Sequence, residues 1–232
     1  MKPTKHIGII GVSYEGAALC YRTICQEGKD WLGMYEHPEV TMHTFSLNDY
    51  KKPSDAERWD KGSELILASA KILAGAGAEF LICPDNTIHV SIDPIVDQSP
   101  LPWLHIAEEV AREAEAKGYK HLGLLGTQPL MEGPVYPRKL EPRGIKWQTP
   151  GLEARRQIHK YIVDELIYGT MLADTRKYFQ GLIEDFAKQG CDAVVLGCTE
   201  IPLLISPEDS VLPVLDSTRL LARAALREAT RL

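Results

Sequence analysis

The sequence predicts an α/β protein of two pseudo-symmetric lobes, each a doubly wound parallel sheet, with a cleft between them. Three pairs of segments carry that prediction. "KHIGIIGV" at 5–12 returns as "KHLGLLGT" at 120–127, an offset of 115. "GAEFLICPDNT" at 77–87 returns as "GCDAVVLGCTE" at 190–200, an offset of 113, and "LPWLHI" at 101–106 returns as "LPVLDS" at 212–217, an offset of 111. Three anchors in the same order at nearly constant offset read as an internal duplication.

Each anchor has its own physical reading. The apolar runs are short and apolar at successive positions, as strands buried on both faces of a parallel sheet are. Strands are expected at about 6–11, 79–83, 121–126 and 192–196. The second anchor follows a helical pattern in each half, "DKGSELILASAKILAGAG" and "ADTRKYFQGLIEDFAKQG". Both patterns close on a glycine, the usual C-terminal signal. Helices between parallel strands make right-handed βαβ units. The last segment, "DSTRLLARAALREATRL", opens on an Asp-Ser cap, runs as a helix and is assigned to the first lobe. The lobes are therefore 1–103 with 213–232, and 104–212. The charged stretch "YKKPSDAERWDK" reads as a solvated loop entering a helix, from which a residue could cover the cleft.

Composition narrows the function. The chain has 232 residues, a net charge of −6 and a pI near 5.7. An acidic chain lacks the basic face that nucleic acid or an anionic membrane needs. No apolar run approaches the ~20 residues of a membrane span, and the opening "MKPTKHIGIIGV" is too short in apolar residues for a secretory signal. The five cysteines are odd in number and lack CxxC spacing, which fits reduced thiols in a cytoplasmic protein. "GIIGVSYEG" has neither the G-x-G-x-x-G spacing nor a Gly-Lys-Ser/Thr, so nucleotide binding is not expected.

In doubly wound sheets ligands bind beyond the carboxyl ends of the strands. The polar clusters "GVSYEG", "PDNT", "LGTQ" and "GCTE" all fall there. The duplication sets Asp85 on Cys198 and Cys83 on Leu196. Cys83 thus occupies a strand register and is read as a buried, inert thiol. Asp85 and Cys198 are the paired candidates for chemistry.

Asn86-Thr87-Ile88-His89 and Gly197-Cys198-Thr199-Glu200-Ile201, supported by "IGIIG", "HLGLLGT" and "LPWLHIA", resemble the aspartate/glutamate racemase superfamily over essentially the whole chain. That superfamily includes cofactor-independent amino-acid racemases, hydantoin racemases, maleate isomerases and arylmalonate decarboxylases. Its usual first-half motif is Cys-Asn-Thr-x-His, and Asp85 stands where that cysteine would be. The loop Val12–Gly16 also departs from the usual pattern. The arginine and lysine that some aspartate racemases use to clamp substrate have no clear counterpart.

The resemblance implies an isomerase with no cofactor and no metal, acting on an amino acid, aspartate or glutamate, and a homodimer. Racemisation needs one group to remove the Cα proton and another on the opposite face to return one. Asp85 and Cys198 are assigned those roles, Cys198 as a thiolate favoured by a helix start in a wet cleft. Asn86, Thr87 and Thr199 either hold the substrate carboxylate or cap helices. Glu200 is a partner behind the site or a favourable first-turn acid. Ser13, Tyr14 and Thr127 line the cleft, with Gln128 beside Thr127, and His89 is read as a packing or capping residue. Two alternatives stay open: a lyase, decarboxylase or isomerase using Cys198 alone, and a non-catalytic solute binder.

Overall fold

The structure, a computed structural model, describes residues 4–231. Contacts divide it into two units, one running to Ile106 and resuming at Thr218, the other Ala107–Ser217. The strand Val214–Asp216 pairs with Ala193–Leu196, so the second unit extends to Ser217 rather than to 212.

The first unit begins with β1 (Ile7–Gly11), α1 (Tyr14–Leu32), β2 (Val40–Thr44), α2 (Leu47–Asp55) and α3 (Trp59–Gly75). It continues with β3 (Phe80–Ile82), the short α4 (His89–Ile92) and β4 (Trp103–Leu104). The second unit takes in most of α5 (Ile106–Ala116), then β5 (His121–Leu125), α6 (Gln128–Glu132), α7 (Pro137–Leu140) and β6 (Lys146–Gln148). After these come α8 (Leu152–Asp164), α9 (Ala173–Lys188), β7 (Ala193–Leu196), α10 (Ile201–Leu204) and β8 (Val214–Asp216). The final helix, α11 (Ser217–Ala229), returns to the first unit.

Each unit holds one four-stranded parallel sheet, ordered β2-β1-β3-β4 in the first and β6-β5-β7-β8 in the second. The two orders are the same, and the registers match the duplication. Ile7 lies opposite Phe80, and its counterpart Leu122 lies opposite Ala193. The α/β class and the paired parallel sheets predicted from the repeats are thus observed.

Local chemistry repeats with the strands. Gly77 and Gly190 follow α3 and α9 with φ of 93° and 82°, a left-handed conformation that glycine enters without a Cβ penalty. Glu79 accepts a hydrogen bond from the His6 amide (2.7 Å), and Asp192 accepts one from the His121 amide (2.9 Å). Ser99 donates to Leu101 O at 2.8 Å, and Ser210 to Leu212 O at 2.6 Å. All three pairs keep the offsets read from the sequence.

Both faces of the first sheet are covered, which is why its strands are apolar at successive positions. On one face Ile7, Ile9, Phe80 and Ile82 pack with Cys20 and Ile24 of α1 and Leu221, Ala222 and Leu226 of α11. On the other, Ile10, Leu81 and Cys83 pack with Ile66, Ala70 and Leu73 of α3. Tyr50 joins this second cluster. The stretch expected as a solvated loop is therefore partly the helix α2, anchored by the burial of Tyr50, 2% exposed. The outer strands β2 and β6 were not foreseen. β6 has only three residues, and β2 reads "VTMHT", with no apolar run to mark it.

Candidate active site

The two turns that matter follow β3 and β7, at the carboxyl ends of their own sheets. Five residues separate Asp85 from Phe80 and Cys198 from Ala193, and those two strand residues hold the same register against the central strand of each sheet. Asp85 and Cys198 are equivalent positions. From there the chain reaches α4 after Ile88 and α10 after Glu200, so the first turn carries one extra residue.

Asp85 is half-buried, and its Oδ1 accepts the Ile88 amide at 3.0 Å. The carboxylate thus closes the turn that leads into α4, bonding the amide just before the helix. Its carbonyl oxygen lies 2.7 Å from His89 Nδ1, while the Ile106 amide donates to His89 Nε2 at 3.4 Å. That pattern assigns the proton of the neutral ring to Nδ1. The ring packs edge-on against His105, with centroids 4.3 Å apart, and His105 Nε2 is 3.2 Å from Asp93 Oδ1. His89 is wholly buried and acts as a strut behind the turn. Asn86 is buried, and Thr87 is half-buried.

Cys83 points into the core cluster beside Leu81 and is fully buried. Burial pushes its thiol well above the usual range, and the Asp85 charge pushes the same way. The Tyr50 hydroxyl is raised to about 12, chiefly by burial, with smaller contributions from Cys83 and Asp85.

The second turn is organised differently. Cys198 Sγ donates to Glu200 Oε2 at 2.9 Å, and Thr199 Oγ1 donates to the same oxygen at 3.1 Å. All three side chains are buried, Glu200 to 2% exposure and Cys198 to 7% within the chain. This corrects the reasoning from sequence. α10 has only four residues, too short to polarise a thiol as a long helix does, and Cys198 is buried. A carboxylate lies in direct contact with the thiol instead. Gly197 permits the tight turn, because a Cβ there would lie 2.9 Å from Leu125 O and 2.8 Å from a Leu130 methyl.

Ser13 and Thr127 occupy the loops after the central strands, and both cap helices. Ser13 Oγ accepts the Gly16 amide at 3.1 Å, and Thr127 Oγ1 accepts the Leu130 amide at 3.3 Å. Tyr14, at the start of α1, is 54% exposed. Within the second unit the structure brings Cys198, Thr199 and Glu200 into contact. Within the first it gathers Asp85, Asn86 and Thr87 in one turn, with Ser13 after the neighbouring strand.

Reading the sequence did not single out Glu132, Arg155 or His159. Arg155 Nε donates to Glu132 Oε1 at 2.9 Å, and Gln128 Nε2 donates to the same carboxylate at 3.2 Å. The Gln128 amide donates to His159 Nδ1 at 3.4 Å. These side chains come from α6 and α8 and meet over the ends of β5 and β6, with no local motif to announce them. Among the described residues, no group of three or more His, Cys, Asp or Glu is placed to hold a metal ion. No helix among them is long and apolar enough to cross a membrane.

Known proteins share this fold. A Bacillus subtilis broad specificity amino-acid racemase, RacX, is 27% identical over 198 residues, which span 82% of this chain and 82% of the relative. A crystal structure of a Yersinia pestis protein assigned as an Asp/Glu racemase superposes with a TM-score of 0.89 at 32% identity, over 98% of this chain and 100% of that one. An aspartate racemase homologue from Pyrococcus horikoshii gives 0.84 at 27% identity, with complete coverage of both chains. The relatives are named as racemases, which are isomerases, the enzyme class expected from the motifs. The family model for Asp/Glu/hydantoin racemases matches residues 7–225, and the chain belongs to that family.

Proposed function

We propose that this protein is a cofactor-independent racemase of an amino acid, aspartate or glutamate, in which Asp85 and Cys198 exchange protons with Cα from opposite faces. The observation that carries the reading is the buried Cys198–Glu200 hydrogen bond at 2.9 Å. A neutral thiol is a poor base, and its thiolate is the reactive form. Glu200, already holding the Sγ–H, is placed to accept that proton, and Thr199 stabilises the same carboxylate oxygen.

In one direction the Cys198 thiolate removes the Cα proton and a protonated Asp85 returns one to the other face. In the reverse direction the Asp85 carboxylate is the base and the Cys198 thiol the acid. Negative charge then spreads onto the substrate carboxylate, where Asn86, Thr87 and the turn amides serve as donors, the Thr199 hydroxyl being engaged with Glu200. The unequal pair makes the two half-reactions unequal in rate and leaves the equilibrium unchanged. The variant feature of the site is Asp85 in the place of the first cysteine. The reading includes a cytoplasmic homodimer with a small-molecule substrate and no nucleic-acid or membrane partner.

One observation favours a second reading. Asp85 Oδ1 already accepts the Ile88 amide, which suits a carboxylate that anchors a substrate ammonium. In that reading Cys198 alone protonates a carbanion, in a lyase, decarboxylase or one-sided isomerase. Incubating the protein with L-aspartate and L-glutamate in D₂O tests both. Deuterium at Cα with growing D-isomer supports the racemase, and release of carbon dioxide or an altered carbon skeleton supports the second. A sample in which neither change occurs with any amino acid overturns the first reading.

A further inference from the structure

Behind the turn that carries Asp85, the side chains of His89, Asp93 and His105 close a circuit. His89 Nδ1 donates to the Asp85 carbonyl oxygen at 2.7 Å, and the Ile106 amide donates to His89 Nε2 at 3.4 Å. His105 covers the His89 ring edge-on, with centroids 4.3 Å apart, and its Nε2 lies 3.2 Å from Asp93 Oδ1, an ion-pair contact. Asp93 belongs to the 3₁₀ helix Asp93–Gln98 that continues α4, the helix His89 opens. His89 is wholly buried, and the side chains of His105 and Asp93 are largely so. The racemase reading uses neither His105 nor Asp93.

The circuit matters for what it holds. Both ring nitrogens of His89 are engaged and its face is covered, which leaves the ring one orientation. The last rung between β3 and β4 is Ile82 with Leu104. Beyond it, His105 and Ile106 are tied back to α4 through Asp93 and His89. An aspartate has two side-chain torsions between backbone and oxygen, and here Oδ1 is pinned to the Ile88 amide at 3.0 Å. The direction in which the carboxylate faces therefore follows the backbone at residue 85, and the His89 bond to its carbonyl fixes that backbone. A thiol, one torsion from the backbone, needs less.

The second turn is built accordingly. The offsets of the repeat set Asp216 on His105 and Pro202 on His89, so neither counterpart is a histidine. There Ser217 Oγ donates to Leu196 O at 2.8 Å, on the strand before the turn. The histidine brace went with the carboxylate and not with the thiol.

Resting on the racemase reading above, we propose that His105 and Asp93 are positioning residues for the acid of the first turn: Asp93 holds His105, His105 fixes the His89 ring, and that ring sets the aim of the Asp85 carboxylate at Cα. They act through His89 rather than on the substrate.

The experiment compares the full chain with His105→Phe, which keeps the ring packing and loses the Asp93 contact, and with His105→Gln, which keeps a donor near the place of Nε2. Each enantiomer of aspartate and of glutamate is incubated in D₂O, and deuterated substrate of retained configuration is counted against inverted product. Thermal unfolding checks the fold, and amide hydrogen exchange reports the Ile88 bond to Asp85. His105→Phe lowers kcat for inversion about 10- to 100-fold with KM little changed, the cost of misplacing a catalytic group by about 1 Å. Cys198 still draws and returns a proton on its own face, so deuterium with retained configuration persists and the retained-to-inverted ratio rises by the same factor. Protection of the Ile88 amide falls. His105→Gln recovers part of the inversion. If His105→Phe does not fold, Asp93→Ala cuts the same contact and serves in its place.

A folded His105→Phe with the wild-type ratio overturns the proposal. So does one in which retention and inversion fall together, since a merely loosened fold lowers both. A wild type that inverts none of these substrates overturns the racemase reading. In that case the Ile88 amide decides the bracing by itself: protection lost in His105→Phe leaves it standing, and unchanged protection overturns it as well.

Discussion

The turn after β3 and the turn after β7 are the same piece of scaffold used for different chemistry. Both leave a buried parallel strand at the same register and enter a helix of four residues. In the first, a carboxylate spends one oxygen on the backbone, and two histidines brace the turn from behind. In the second, a thiol is joined to a buried carboxylate two residues on, and no side chain caps the helix. Duplication copies the geometry of strand and turn, which depends on apolar registers and glycines. It leaves the side chain at the turn free to diverge, because that side chain carries little of the fold.

The sharpest test of the difference is removal of the thiol. Cys198→Ala is expected to reduce Cα deuterium exchange by about 10³-fold or more, the scale for deleting an essential proton-transfer group or nucleophile. Its fold should be retained, as the cavity left by one sulfur is small.

Asp85 has two roles to separate, and two substitutions separate them. Asn closes such a turn as well as Asp does, so Asp85→Asn should unfold within about 0.5 kcal/mol of the wild type while losing racemisation by about 10²-fold or more. Asp85→Ala should lose the same activity and about 1 kcal/mol of stability as well. Asp85→Cys makes the two turns alike and should preserve or raise activity. Full turnover by Asp85→Asn would confine the chemistry to the second turn and move the one-sided reading ahead.

What the sequence revealed follows the same division. The inner strands were legible because short apolar runs recur where both faces of a sheet are buried, while β2 and β6, which lack such runs, and the strand order were not. The caps were not read as such: Ser13 and Thr127, expected to line the cleft, each bond a helix amide, and Asp85 bonds the amide of the residue just before α4. The Cys198–Glu200 contact was legible only as a pair of candidates. Adjacency in sequence does not say whether a side chain two positions on turns back to its neighbour or out to solvent. Arg155 was invisible, since its partners lie 23 residues upstream at Glu132 and in the turn at Thr149 and Pro150. Tyr50 was hidden by its charged neighbours, although burial of that one ring fixes α2.

A smaller effect should come from Glu200. Glu200→Gln keeps the size of the side chain and a hydrogen-bond acceptor for Sγ, but removes the group able to take a proton. The expected loss is about 10²-fold in kcat, with KM little changed. A KM effect without a kcat effect would place Glu200 in substrate binding instead. The first turn offers the control: Thr87 stands on Glu200 in the duplication and has no carboxylate to take a proton.

The smallest effect concerns the strand residues just before each turn, Cys83 and its counterpart Leu196. The native Cys83 thiol is held neutral by burial and then by the Asp85 charge, whereas the unfolded thiol ionises near ~8.5. Its folded value is raised, so its stabilising contribution is complete below about pH 8.5 and is lost as pH rises toward the native value. Tyr50 adds to the same slope higher up, as its unfolded value of ~10 gives way to about 12 in the fold. The free energy of unfolding by urea should therefore decline above about pH 8.5. Cys83→Ala should cost about 1 kcal/mol at pH 7 through lost packing and should flatten the first part of the decline. Asp85→Asn removes the charge beside the thiol and should flatten it less. Leu196 has nothing to ionise, so Leu196→Ala should lower stability by the same amount at pH 7 and pH 10. A slope that survives Cys83→Ala unchanged would show that the alkaline loss belongs to the tyrosines, and would remove the electrostatic link between the strand thiol and the turn carboxylate.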